Sequence, residues 1–94
     1  MFHKVKEVYP QPGLKLMVRF ADGTTKRYDV VPLAERLPAF EALRDQTLFF
    51  DVTVDTGGYG IVWNDELDLS CDELWEHGSP AETPFEALRP SRCR

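Results

Sequence analysis

The stretch LKLMVRFADGTTKRYDV, residues 14–30, constrains the fold of this chain more than any other part. Its first half alternates apolar and more polar side chains, which is the pattern of a β-strand with one buried face. The positions assigned to the buried face are Leu14, Leu16, Val18 and Phe20, and those assigned to the outer face are Lys15, Met17 and Arg19. A β-hairpin that packs one face on the core is therefore expected.

The turn of this hairpin contains Asp22-Gly23, and its length decides which side chains face each other. A two-residue loop would mix apolar and charged side chains on each face, because a slip of one residue inverts every side chain. A three-residue loop that includes Ala21, with Gly23 in a left-handed conformation, keeps the two faces separate. This loop predicts two pairs of facing residues: Leu16 with Tyr28, and Lys15 with Asp29.

Weaker patterns predict the helix and the connections around the hairpin. Residues 3–10 indicate an edge strand that is followed by a turn at 10–13. The helical tendency of residues 31–45 is interrupted by Pro38, so that a short turn at 32–36 and then a helix over about 38–44 are expected. The helix is expected to bury Phe40 and Leu43.

Two further strands are predicted in the second half of the chain. The stretch LFFDVTVD, residues 48–55, is expected to place Phe50, Val52 and Val54 on one face. A glycine-rich connection, residues 56–60, follows it with two or three positive-φ positions. The returning strand, residues 61–63, is expected to turn Ile61 and Trp63 toward the core.

The segment from 61 to 78 carries six carboxylates and no lysine or arginine. The six are Asp65, Glu66, Asp68, Asp72, Glu73 and Glu76. The rest of the chain has 10 acidic against 11 basic residues, so that the net charge of −5 is concentrated in this one segment. An acidic surface of this kind repels phosphate backbones, and direct binding of nucleic acid is not expected.

Part of this acidity has a structural explanation as a helix start. Ser70 and Glu73 have the spacing of a capping box, and Leu69 with Leu74 fit a hydrophobic staple. Asp72 suits the positive end of the helix dipole. A helix over 71–77 is expected, with Gly78 ending it in a left-handed conformation.

The remaining carboxylates, Asp65, Glu66 and Asp68, allow three interpretations. Together with His77 they could serve a small metal-dependent enzyme or ligand binder, although their spacing is not that of an EF-hand. They could form a solvated turn. They could also belong to a docking surface, with Glu76 and Trp75 beside them, since tryptophan is enriched at binding hot spots. We assign no catalytic residue, no metal ligand and no cofactor.

The chain after Gly78 contains three prolines and three arginines and is expected to be a flexible tail over 79–94. The pentapeptide FEALR occurs at 40–44 and again at 85–89. Chance explains this repeat, or else Phe85 and Leu88 form a short amphipathic motif that binds a partner. Residues 1–78 are expected to form one compact domain.

The segments FADGTTKRYDV, LFFDVTVD and IVWNDELDLSCDELW together resemble the bacterial family filed as domain of unknown function 2442. The resemblance runs from about Val5 to Trp75. Members usually carry proline, asparagine and glycine between the tryptophan and the next aspartate, where this chain has the residues 64–67. The resemblance implies a small α+β domain without an established enzyme activity, and an antitoxin-like role toward a small toxin encoded beside it.

The predicted fold is therefore α+β, with a small antiparallel sheet of about four to five strands built from hairpins and two short helices, about 38–44 and 71–77. The leading functional hypothesis is a non-enzymatic module that binds a basic protein, such as a small toxin. The alternatives are the metal-dependent enzyme or ligand binder and a self-associating structural subunit, for which a homodimer is expected. No apolar run is long enough to cross a membrane, and a cytoplasmic location is expected.

Overall fold

A computed structural model describes residues 3–80 of the 94-residue chain as two antiparallel sheets and several short helices around one core. The first sheet has the strand order β1-β2-β3-β7, and the second has the order β4-β5-β6. The strands are β1 (Val5–Gln11), β2 (Lys15–Phe20), β3 (Thr25–Asp29), β4 (Thr53–Val54), β5 (Gly60–Asn64), β6 (Leu67–Ser70) and β7 (Ser79–Pro80). The predicted α+β class is confirmed, although the strands are divided between two sheets.

The register of the β2–β3 hairpin is the predicted one. Leu16 faces Tyr28 and Lys15 faces Asp29, where the ammonium and the carboxylate are 3.3 Å apart. Gly23 closes the three-residue loop with a φ of 95°. The separation of apolar and charged faces is thus sufficient to determine this register.

Two details of the first sheet differ from the prediction. β1 continues through Pro10 to Gln11, so that the turn to β2 begins later than expected. Met17 was assigned to the outer face with Lys15 and Arg19, yet it is fully buried. It lies on the central strand, where Tyr9 of β1 and Arg27 of β3 face it from either side.

Three short helices connect the two sheets: α1 (Val31–Arg36), a 3₁₀ helix (Pro38–Arg44) and α2 (Gln46–Phe49). The segment predicted as a turn at 32–36 is therefore an α-helix. The helix predicted at 38–44 is present with 3₁₀ geometry, and Leu37 before Pro38 is extended, as the residue before a proline prefers. Leu43 is fully buried and Phe40 is half-buried.

The strand predicted at 48–55 is wrong in its first half. Asp45 accepts a hydrogen bond from the backbone N–H of Thr47 at 3.0 Å and starts α2, so that only Thr53–Val54 remains extended. Phe50 is 48% exposed, whereas Phe49 is 1% exposed. Three consecutive apolar residues carry no information about period, and the N-cap decides the conformation.

The glycine-rich connection approaches the first sheet. Gly57 and Gly58 have φ values of 83° and 79°, which confirms the expected positive-φ positions. A Cβ on Gly58 would lie 2.7 Å from the carbonyl oxygen of Val5, so that this close approach also requires glycine. Ile61 and Trp63 of β5 are buried as predicted, and the indole N–H of Trp63 donates to the carbonyl of Phe49 at 3.0 Å.

The sequence prediction missed β6. Asn64 accepts hydrogen bonds from the N–H groups of Glu66 and Leu67, at 2.9 and 3.0 Å, and so closes a turn between β5 and β6. Leu67 and Leu69 are buried, and they alternate with the exposed residues Asp68 and Ser70. The interpretation of Asp68 as part of a solvated turn is therefore incorrect, since it lies on a strand.

The third α-helix, α3 (Cys71–His77), begins where predicted, and the Ser70 hydroxyl accepts from the N–H of Glu73 at 3.1 Å. The left-handed end predicted at Gly78 is wrong, since its φ is −79°. Glycine is needed there for space, because a Cβ would lie 2.5 Å from the carbonyl oxygen of Leu74.

The chain pairs with β3 for two residues beyond Gly78, since Ser79 faces Arg27 and Pro80 faces Lys26. The remainder of the predicted tail, with Phe85 and Leu88, lies outside the described residues. Within residues 3–80, no helix is long and apolar enough to cross a membrane.

Candidate functional site

The helix α3 presents different side chains to the core, to the first sheet and to solvent. Cys71 and Leu74 are buried in the core. Asp72 and Glu76, one helical turn apart, are exposed, whereas Glu73 is half-buried. β6 leads directly into α3, so that the exposed carboxylates of the strand and of the helix belong to two consecutive elements.

Trp75 packs against the first sheet and is partly buried. Its ring meets the edge of Phe20 with 4.9 Å between centroids, and His3 stacks on it at 3.5 Å. The Lys26 ammonium lies 4.2 Å from the ring centroid and donates a hydrogen bond to the Trp75 carbonyl. A partner could therefore contact only the part of this ring that remains exposed.

The exposed carboxylates of the segment from 65 to 76 are what we call the acidic face: Asp65, Glu66, Asp68, Asp72 and Glu76. Asp65 and Glu66 lie in the β5–β6 turn, Asp68 lies on β6, and the other two lie on α3. The ion pairs of residues 3–80 involve Asp29, Glu7 and Glu73, and none involves the acidic face. Within residues 3–80, no ion pair offsets the negative charge of the acidic face.

A groove of about 890 Å³, which we call the interlayer groove, lies beside the acidic face. Its lining includes Asp68, Leu69 and Ser70 of β6 and Arg27 and Tyr28 of β3. The apolar part of its lining comes from the connecting helices: Pro32, Leu33, Leu37 and Phe40. The groove thus combines apolar side chains of the connecting helices with polar side chains of β3 and β6.

A chain of polar contacts lies at one end of the interlayer groove. The Tyr28 hydroxyl donates to Oε2 of Glu73 at 2.7 Å, and Nδ1 of His77 lies 3.2 Å from the same oxygen. Burial raises the pKa of the Tyr28 phenol above its usual range, and the hydrogen bond and charge of Glu73 add to this rise. Tyr28 therefore holds its proton as a donor, and Glu73 is the shared acceptor.

Only one half of the predicted capping box is therefore present. The carboxylate of Glu73 turns to Tyr28 and His77, although the other half, from Ser70, is present. The spacing of Glu73 and His77 is four residues, which signals a shared helical face, but no sequence pattern points to Tyr28 as their partner. The interlayer groove was not predicted either.

The side chains proposed for a metal site do not converge. Nowhere in residues 3–80 do three histidine, cysteine or carboxylate side chains stand close enough together to hold a metal ion. Asp65 and Glu66 are at the turn, whereas His77 is at the far end of α3 beside Glu73. Cys71 is buried, and its thiol donates a weak hydrogen bond of 4.0 Å to the carboxylate of Asp72.

The fold and this surface define a class: a small α+β domain with an acidic face and a groove between its layers. Comparison with protein families then identifies the chain more closely. Residues 5–80 match the family described as Protein of unknown function (DUF2442), and the chain belongs to this family. No curated protein and no solved structure matches it.

Proposed function

We propose that this domain is a protein-binding module that uses the acidic face to bind a basic partner protein, in an antitoxin-like role in which that partner is a small toxin. The observation that supports the proposal most is the exposure of five carboxylates without an ion pair inside residues 3–80. Complementary charge would steer the encounter and make binding sensitive to salt.

The structure supports such a role because the acidic face is built on well-defined elements. The β5–β6 turn is held by Asn64, and α3 is capped by Ser70. Charges on ordered elements lose little conformational freedom when a partner binds, so that more of the interaction energy appears as affinity. We assign Asp65, Glu66, Asp68 and Glu76 to the charged contact.

Apolar contacts would add to the charged ones. The exposed part of Trp75 is close to Glu76, and we propose that it contributes an aromatic contact at the edge of the interface. Phe85 and Leu88 are assigned to the same interface through their spacing in the sequence.

The proposal is tested by capture from the native cell lysate, treated with nuclease, with the full chain as bait. We expect a basic protein to bind in stoichiometric amount and to elute as salt is raised. The purified pair is then measured by calorimetry against two charge-reversal variants: Asp65→Lys with Glu66→Lys, and Glu35→Lys with Asp51→Lys.

The two variants change the net charge equally, and all four carboxylates are exposed. Loss of at least about tenfold in affinity for the first variant alone would agree with the proposal. Equal losses for both variants would show that only net charge matters and would overturn the assignment to the acidic face. If the full chain captures no stoichiometric basic protein, the proposed function is wrong.

The antitoxin-like role needs a second measurement. Expression of the captured protein alone is expected to inhibit growth, and coexpression of the full chain is expected to restore it. Restoration should be weaker with the Asp65→Lys, Glu66→Lys variant. A partner without any effect on growth would leave a binding module whose role is not neutralisation, and would overturn this part of the proposal.

A further inference from the structure

We propose that the free edge of β6, in the interlayer groove, binds an extended segment of the partner as an additional β-strand, and that this segment alternates cationic and apolar side chains. The inference rests on the proposed function, since it describes how the basic partner is held. It adds the backbone as a binding group and gives the partner a definite conformation.

The hydrogen-bond pattern of the second sheet determines which backbone groups of β6 are free to pair. The N–H of Cys71 donates to the carbonyl of Tyr59 at 2.8 Å, and Ile61 faces Leu69 in the same ladder. Backbone groups of successive residues in an antiparallel strand point to opposite sides. Leu69 therefore pairs with β5, and the N–H and C=O of Asp68 point away from it.

The other side of β5 confirms this alternation. Gly60 faces Ser70 of β6 in the ladder. Its carbonyl nevertheless points to the side of β4, where it accepts a hydrogen bond from the N–H of Asp55. The pairs Gly60–Ser70 and Val62–Asp68 are thus the pairs without mutual hydrogen bonds. In the sheet as described, β6 is the outermost strand, and three of its four residues line the interlayer groove.

Asp68 carries the charge of this edge and favours a cationic side chain opposite it, whereas the cations that line the groove, Lys15, Arg27 and Arg36, lie on β2, β3 and α1. The side chain of Asp68 is exposed, and a residue facing it on an added strand would have its Cβ about 5 Å away. A lysine or arginine at that position makes a favourable cross-strand pair. Asp65 and Glu66 lie just before the strand and extend the same preference along the chain.

The opposite face of an added strand would meet apolar surface. Leu33 and Leu69 belong to the core and also line the interlayer groove, so that the groove opens onto the edge of the core. Leu37, which is 44% exposed, lines it too. Apolar side chains on alternate positions of the segment would therefore bury an exposed leucine and extend the core.

A second copy of this chain is a poorer occupant of the same edge. Pairing of two β6 strands would bring two acidic faces together, and like charges that face each other across strands are destabilising. Charge complementarity thus favours a basic segment from a different protein.

The test uses the full chain and a short synthetic peptide, capped at both ends, in which lysine and valine alternate. Two further peptides of the same sequence carry N-methyl groups, one on every lysine amide and the other on every valine amide. Because these amides point to opposite edges of an extended peptide, only one of the two methylations blocks pairing with β6. We expect one methylated peptide to bind about tenfold more weakly than the other.

A matched pair of protein variants tests the same contact from the other side. Asp68→Asn and Asp68→Pro both remove the charge, but only the proline also removes the outward N–H, and edge strands tolerate proline at such a position. Asp68→Pro is expected to bind the unmethylated peptide several-fold more weakly than Asp68→Asn. Hydrogen exchange of the Asp68 backbone amide can be measured without any variant, and it should slow when the peptide is bound.

The outcomes separate the two proposals. Equal effects of the two methylations, or an Asp68 amide whose exchange does not change on binding, would overturn strand addition. If the peptide still binds with a strong dependence on salt and on Asp65 and Glu66, the acidic face remains the binding surface and only its mode of binding is wrong. If no basic peptide or protein binds at all, the proposed function fails with it.

Discussion

The phenolic hydroxyl of Tyr28 donates a 2.7 Å hydrogen bond to Glu73 and thereby joins β3 to α3. The bond connects the first sheet to the helix that follows the second, and both of its residues line the interlayer groove. Its loss should affect both the stability of the domain and its dependence on pH.

Tyr28→Phe is expected to reduce the free energy of unfolding by about 1–3 kcal/mol at neutral pH, because it removes the donor to a carboxylate. The pKa of Tyr28 is raised in the folded state, so its stabilisation is complete below the unfolded pKa, about 10, and is lost as pH rises toward the folded pKa. The difference between wild type and variant should therefore shrink above about pH 10.

Ultraviolet titration of the phenolates checks this assignment directly. One of the three tyrosines should ionise late in the wild type, and this late step should be missing from Tyr28→Phe. Tyr59→Phe, which removes an exposed phenol, serves as the control and should keep the late step. A late step that persists in Tyr28→Phe would contradict the assignment.

The adjacent residues Phe49 and Phe50 should respond very differently to truncation. Phe49→Ala is expected to cost about 3–5 kcal/mol, since its side chain is fully buried beside Trp63, whereas Phe50→Ala should cost less than about 1 kcal/mol. Denaturant unfolding of both variants measures this. The reverse order would indicate the strand that the sequence predicts at this position.

Alanine substitutions at Gly58 and Gly13 should lower the stability of the domain by different amounts, because only Gly58 is crowded by neighbouring atoms. The two glycines have φ values of 79° and 80°, but a Cβ on Gly58 would lie 2.7 Å from the Val5 carbonyl oxygen, whereas one on Gly13 has nothing within 4 Å. Gly13→Ala is expected to cost about 1–2 kcal/mol through its left-handed conformation. Gly58→Ala should lose about 1–3 kcal/mol more stability than Gly13→Ala, as measured by thermal unfolding. Equal losses for the two variants would contradict this prediction and show that the backbone moves to make room for the new Cβ.

Lys26 should stabilise the end of α3 through Trp75. Lys26→Met removes a cation above the indole ring and the donor to the Trp75 carbonyl, and about 1–2 kcal/mol of stability should be lost. Lys6→Met, an exposed position on β1, is the matched control. The tryptophan fluorescence should change only for the Lys26 variant, and identical behaviour of the two would argue against this contact.

Local patterns in the sequence were sufficient for several elements. The alternation in residues 14–20 with the glycine of the turn determined the β2–β3 register, and the cap at Ser70 determined the start of α3. Both patterns act between residues close in the chain, so that their physical cause is visible without the fold. The acidity of residues 65–76 is likewise a property of the sequence, although not its arrangement.

The sequence was insufficient wherever a distant neighbour made the choice. Glu73 has the position of a capping-box acid, yet its carboxylate accepts a hydrogen bond from the hydroxyl of Tyr28 instead. Gly78 has the position of a left-handed helix end, yet the Leu74 carbonyl and Lys26 require a glycine for space. Met17 alternates as an outer residue, yet it is fully buried on the central strand of the first sheet.

The sequence by itself determined the class of fold, the main hairpin, the capped helix and the concentration of negative charge. Only the tertiary structure decided that β6 is an outer strand, that its free edge lies along a groove, and that Tyr28, Glu73 and His77 meet there. The reason is physical: propensity, capping and alternation act over a few residues, whereas edges and grooves exist only after separate elements have packed together.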